Sequence, residues 1–141
     1  MSSTLAGVLL TALLQQRSQR ADRATAATEA RRRDALDAVS ELATVLADHR
    51  RVMWRREDLR LTGADWTEAR TTSHATRAAI TAPSVRVTVL LPELAAAVDA
   101  AARTVYSMRN AADHTALEVA RDQALAAANQ LVTDAGRLLA A

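Results

Sequence analysis

From Thr4 to Leu61 the chain contains no proline and a single glycine, Gly7. In a helix interior proline costs about 3 kcal/mol and glycine about 1 kcal/mol, so their scarcity over this stretch removes the usual stops. A helix across these residues would be roughly 87 Å long at about 1.5 Å per residue, far beyond the mean of about 11–12 residues for globular helices. Such an element reaches or anchors and is not ordinary core. It opens on a short apolar cap, Leu5-Ala6-Gly7-Val8-Leu9-Leu10-Thr11-Ala12-Leu13-Leu14, and runs at once into arginine-rich sequence.

The remainder of the 141 residues points the same way. Alanine fills 34 positions, all 18 basic residues are arginine, and lysine, phenylalanine and cysteine are absent. Alanine and arginine are among the best helix formers, and only 3 glycines and 2 prolines interrupt them. The expected fold is all-α: a long N-terminal helix leading into a four-helix antiparallel bundle. Residues 1–34 form an apolar tip and a basic helical stalk, and residues 35–141 form the bundle domain. Without cysteine there are no disulfides and no thiolate metal ligands, which fits a reducing cytosol. Missing lysine and phenylalanine beside abundant alanine and arginine also suggests a GC-rich genome.

The net charge of +2 conceals segregation along the chain. Residues 1–33 carry +4, residues 34–49 carry −4 with no arginine, residues 50–60 carry +3, and residues 61–141 carry −1. Alternating blocks on one helix favour sided partners, either an anionic surface at the basic base or antiparallel pairing between chains.

The ten residues Leu5 to Leu14 span only about 15 Å as helix, half of a hydrocarbon core of about 30 Å. They cannot cross a bilayer alone. No basic residue precedes the run and no small-x-small cleavage site follows it, so a signal peptide is not expected either. Three readings stay open. The tip is a partial or interfacial anchor, with Leu5, Val8, Leu9, Leu10, Leu13 and Leu14 in the interface and Arg17, Arg20 and Arg23 on anionic headgroups. It packs against copies of itself, or it is the end of a longer helix whose start lies upstream of Met1. The plain alternative is an apolar end docked on the body. Membrane association carries the greater weight, and the expected location is the cytoplasmic face of the cell membrane.

Beyond Asp34 the pattern turns amphipathic, with Leu36, Val39, Leu42, Ala43, Leu46 and Met53 expected on the buried face. Gly63 reads as the C-cap, and Asp65-Trp66-Thr67-Glu68 as a capping box opening a second helix from Trp66 to about Thr81. Between Pro83 and Pro92 the alternation of Val85, Val87 and Val89 looks strand-like without a second strand to pair with. An extended or irregular bridge, or a helix imposed by context, is expected there. A third helix follows Pro92 with Leu94, Val98, Ala101, Val105 and Met108 inward, and a break falls near Asn110 to Asp113. The fourth starts at a capping box, Thr115-Ala116-Leu117-Glu118, with Leu117, Ala124, Ala128, Leu131, Ala135 and Leu138 inward.

No catalytic constellation is visible. His49, His74 and His114 fall on different expected helices with no histidine three or four residues away, so they give no metal-ligand spacing. There is no Gly-x-Ser-x-Gly and no phosphate-cradling glycine loop. An enzyme is not expected, nor a cofactor. The most unusual stretch in the body is Asp48-His49-Arg50-Arg51-Val52-Met53-Trp54-Arg55-Arg56-Glu57-Asp58-Leu59-Arg60. Arg50, Arg51, Arg55 and Arg56 flank Trp54, and arginine with an aromatic ring is a nucleic-acid pairing of residue types. A solvated basic face, with Trp54 turned to the core, is the weightier reading. Trp66 and Tyr106 are likewise expected in the core.

Several stretches resemble the KilB family, small proteins carried by conjugative plasmids and integrated elements of mycelial actinobacteria. They are Asp48-His49-Arg50-Arg51 through Trp54, Arg56-Glu57-Asp58-Leu59-Arg60-Leu61, Ser73-His74-Ala75-Thr76-Arg77 with Ile80-Thr81-Ala82-Pro83, and Ala111-Ala112-Asp113-His114-Thr115. The resemblance implies a membrane-associated factor in plasmid transfer or intramycelial spread that acts with other transfer proteins. The family pattern opens on a longer apolar helix, so peripheral attachment or an alternative start codon is the expectation here. The partners expected are the inner membrane surface, other transfer proteins and the chain itself as a homo-oligomer. DNA ranks below them.

Overall fold

The computed structural model describes residues 2–141. It is all-α, with no strand among the described residues. Among the described residues five α-helices follow one another: α1 (Ser2–Leu61), α2 (Thr67–Ala78), α3 (Thr81–Leu90), α4 (Ala95–Tyr106) and α5 (His114–Ala140), with a single 3-10 turn at Pro92–Leu94. The chain divides into two compact units, residues 1–34 and residues 35–141. In the first unit every side chain described is exposed.

The second unit is built on a stripe of α1 that advances in alternating steps of four and three: Ala35, Val39, Leu42, Leu46, His49, Met53, Arg56. This spacing keeps one helix face toward neighbouring helices. Its apolar members join Ile80, Val87, Leu91, Leu94, Val98, Ala101, Val105, Met108, Leu117, Ala124, Leu131 and Ala135 in one core. Burying each leucine there contributes about 1.5–3 kcal/mol. Leu36 lies outside the stripe and is 42% exposed, contrary to the sequence expectation, and Ala35 and Ala38 take the buried places. A step of one residue turns the side chain by about 100°, which is enough to move it from core to solvent.

Gly63 ends α1 as expected. With φ +77 it adopts the left-handed conformation, its N–H donates to the Arg60 carbonyl, and the Ala64 N–H donates back to Leu59. That pair of bonds is the Schellman arrangement. The start of α2 differs in detail from a capping box: the N-cap is Trp66, and Asp65 Oδ1 accepts the Thr67 N–H at 3.0 Å. Backbone donation from Thr67 holds the Asp65 carboxyl below the usual carboxylate range.

The segment left between bridge and helix by its sequence is helical. The second helix ends at Ala78, earlier than expected, Ala79 and Ile80 make the connection, and α3 begins at Thr81. Pro83 occupies the third position of α3, where an N–H would have no partner within the helix. Pro83, Val87 and Leu91 are buried at four-residue spacing, while Val85 and Val89 face solvent. Packing of that single face outweighs the modest helix penalty of β-branched residues.

The α4–α5 connection contains Asn110 at φ 62. Helix α5 is capped two residues earlier than the Thr115 box implied: Asp113 is the N-cap, and its Oδ1 accepts the Ala116 N–H at 2.7 Å. Of its expected inward positions Leu117, Ala124, Leu131 and Ala135 are buried, and Ala128 and Leu138 are half-buried.

Candidate functional site

Two features of the chain are not explained by ordinary core formation. The first is the apolar tip in residues 1–34. Leu5, Val8, Leu9, Leu10, Leu13 and Leu14 are each 57–69% exposed, and Arg17, Arg20 and Arg23 are exposed beyond them. Surface leucines scattered singly need no explanation, but six large apolar side chains within ten residues do. No described helix is long and apolar enough to cross a membrane.

The second feature is a polar centre inside the bundle. His49, Arg56, Glu57 and Ser73 are buried, two of them at stripe positions where an apolar residue would be the default. Glu57 is 0% exposed and fully engaged. Its Oε1 accepts the Ala111 N–H at 3.0 Å, and its two oxygens take Arg60 NH2 at 3.1 Å and Arg60 Nε at 3.3 Å. Arg60 also donates to the Ala111 carbonyl. A buried carboxylate is tolerated when it is paired and hydrogen-bonded in this way.

Arg56, 4% exposed, is less well served. NH1 donates to Ser73 Oγ at 3.3 Å and approaches Met53 Sδ at 3.9 Å. Nε lies 3.8 Å from Glu57 Oε2 but makes no hydrogen bond among the described residues. The guanidinium carbon stands 5.3 Å from the centre of the Trp66 ring, which is half-buried. Burial lowers the Arg56 pKa from its ordinary value, Glu57 opposes the shift, and Arg109, Arg70 and Arg60 add to it.

His49 completes the centre. Its Nδ1 is 2.7 Å from Thr76 Oγ1, and Thr76 in turn donates to the Ser73 carbonyl at 3.2 Å. With the Thr76 proton so placed, His49 Nδ1–H is the donor. Burial, aided by Arg77 and Arg56, lowers the His49 pKa to about 4. The ring meets Tyr106 edge-on at 6.0 Å, and Arg77 lies 4.2 Å from the Tyr106 ring centre.

The four arginines singled out in the sequence do not form one face. Arg51 and Arg55 are exposed, Arg50 is half-buried and Arg56 is inside the bundle. Arg51 pairs with Asp48 on its own helix. Arg55 lines a cleft of about 290 Å³ with Val52, Leu59, Asp65, Glu68 and Thr72, whose carboxylates do not suit an anionic partner. Trp54 packs against the core as expected and carries Arg121 at 4.3 Å over its ring. Tyr106 packs against the same core, whereas Trp66 covers Arg56. Sequence reading missed Glu57 and the inward Arg56. The signal was present: continuing the four-three stripe past Met53 lands on Arg56. No group of three His, Cys, Asp or Glu able to hold a metal ion is gathered among the described residues.

Comparison with known proteins places this architecture in context. The family model of the KilB plasmid transfer protein matches residues 36–139, the whole bundle apart from its first and last residues. Protein KilB of Streptomyces lividans is 55% identical over 137 residues, covering 95% of this chain and 90% of that protein. No solved structure matches. The match covers the bundle that holds the polar centre and, through the relative, nearly the full length: the chain belongs to the KilB family of plasmid transfer proteins.

Proposed function

We propose that this chain is a non-enzymatic accessory factor in conjugative plasmid transfer or intramycelial spread that works at the cytoplasmic face of the cell membrane. Residues 5–14 seat in the interfacial layer, Arg17, Arg20 and Arg23 meet anionic headgroups, and the bundle of residues 35–141 engages other transfer proteins. The observation that carries this reading is the cluster of six large apolar side chains left exposed on a helix too short in its apolar part to span. An amphipathic or apolar helix end of this kind gains free energy by burial in the headgroup and acyl boundary, and adjacent arginines add about 1 kcal/mol each near an anionic surface.

The test is genetic and biochemical together. A plasmid encoding the Leu9→Asp, Leu13→Asp variant should yield normal amounts of folded protein, lose the membrane-bound fraction and spread poorly through the mycelium. Wild-type spread with a wholly unbound variant would refute the role of the tip. Self-association of the tip is the competing use of the same surface. Light scattering that shows monomer with and without residues 1–16 would remove it.

A further inference from the structure

The molecule holds a second, smaller feature that the membrane reading does not use. A cavity of about 20 Å³ is lined by His49, Arg56, Ser73, His74, Arg77 and Arg109, together with Met53 and Tyr106. Three of these side chains are guanidinium groups, and no carboxylate lines the space. Among the described residues Glu57 is the one acid within salt-bridge distance of Arg56, and its oxygens are already occupied by Arg60 and the Ala111 N–H. Among the described residues neither Arg77 nor Arg109 has a carboxylate within 4.0 Å. The buried Arg56 Nε has no hydrogen-bond acceptor among the described residues. A buried cation with an unmet donor is costly, and a local excess of positive charge adds to that cost.

We propose that this cavity is a binding site for a phosphate-monoester type of oxyanion. Its volume sets the scale, because a single water needs about 10–15 Å³ of this kind of space. One terminal oxygen therefore fits inside, and a nucleotide base does not. The Arg56 guanidinium supplies the inner positive charge, and the Ser73 hydroxyl, which donates to the Arg70 carbonyl at 2.6 Å, holds Arg56 NH1 in place as its acceptor. The exposed Arg77 and Arg109 hold the remaining oxygens, since planar guanidinium groups match oxyanions by paired hydrogen bonds. His49 is neutral at pH 7 and serves as a wall, its pKa pushed down by burial and by the neighbouring Arg77 and Arg56. The ligand is either free phosphate or a phosphomonoester headgroup. All of its lining residues belong to residues 35–141, and the proposal does not depend on whether residues 1–34 bind membrane.

The experiment uses the full chain with ¹⁵N-labelled arginine and follows the Nε–Hε resonances by NMR at about pH 7.5, where phosphate, with a second pKa near 6, is largely dianionic. Inorganic phosphate and glycerol phosphate are titrated separately, with chloride holding ionic strength constant. The Arg56 resonance should shift saturably with at least one of them. Arg77→Gln with Arg109→Gln, both at exposed positions, should keep the helical circular dichroism and weaken binding at least tenfold. Glycerol phosphate binding tenfold more tightly than inorganic phosphate would identify a headgroup as the source, and equal or weaker binding would identify free phosphate. No saturable shift with either, the same shift with chloride alone, or undiminished binding in the double variant would overturn the site.

Discussion

Glu57 and Ala111 are joined across 54 residues of sequence by a 3.0 Å hydrogen bond from the Ala111 N–H to Glu57 Oε1. Arg60 closes the arrangement by binding both the carboxylate and the Ala111 carbonyl, so both backbone groups of Ala111 are satisfied by α1. Removing a partner from a buried, hydrogen-bonded charge pair costs about 3–5 kcal/mol. Glu57→Ala should therefore lower the urea midpoint by that amount of stability. Glu57→Gln should cost less, because its amide oxygen still accepts from Ala111.

The residue before that junction, Asn110, sits at φ 62. Asparagine tolerates the left-handed region, whereas a β-branched residue there is strained by about 1–2 kcal/mol or more. Asn110→Val should destabilise by about that amount and Asn110→Gly by no more than a few tenths. Thermal midpoints of the two variants measured side by side check the order.

His49 makes stability depend on pH. Its folded pKa, about 4, lies below the ordinary value of 6.5, so between these two values the unfolded chain binds the extra proton. The contribution is intact above pH 6.5 and is lost as pH falls toward 4. The loss should be about 2 kcal/mol, less than the full shift of 1.36 kcal/mol per unit because solvent screens part of it. Denaturant unfolding at several pH values, compared with His49→Gln, isolates the effect. The wild type should lose more stability than the variant over that window.

The cap of α5 tests which residue starts the helix. Asp113→Ala removes the acceptor for the Ala116 N–H and should cost about 1 kcal/mol, while Thr115→Ala should change little. Equal losses from the two would contradict the assignment of Asp113 as N-cap.

Much of the fold was legible because its signals are local. The absence of breakers marked α1, Gly63 marked its end, and the seven-residue recurrence of Leu117, Ala124 and Leu131 marked the inner face of α5. The helix at 81–90 was not, because its deciding contacts are tertiary: Pro83, Val87 and Leu91 are buried by other helices, and the exposed Val85 and Val89 supplied a misleading alternation. The polar centre was half legible. His49 and Arg56 were noticed as unusual residues, but charge led to reading Arg56 as part of a solvated face. Its register with Leu46 and Met53 on the buried stripe was the better guide, since position on a helix decides exposure before chemistry does. The α5 start was displaced by two residues because Asp113 and Thr115 are both good caps, and only the backbone geometry chooses between them.

The membrane role of the exposed tip is tested most directly by vesicle flotation of the full chain and of a chain lacking residues 1–16. The full chain should float with anionic vesicles, float less with neutral ones, and lose that behaviour when the tip is removed. Equal flotation of the two chains on both kinds of vesicle would contradict the account.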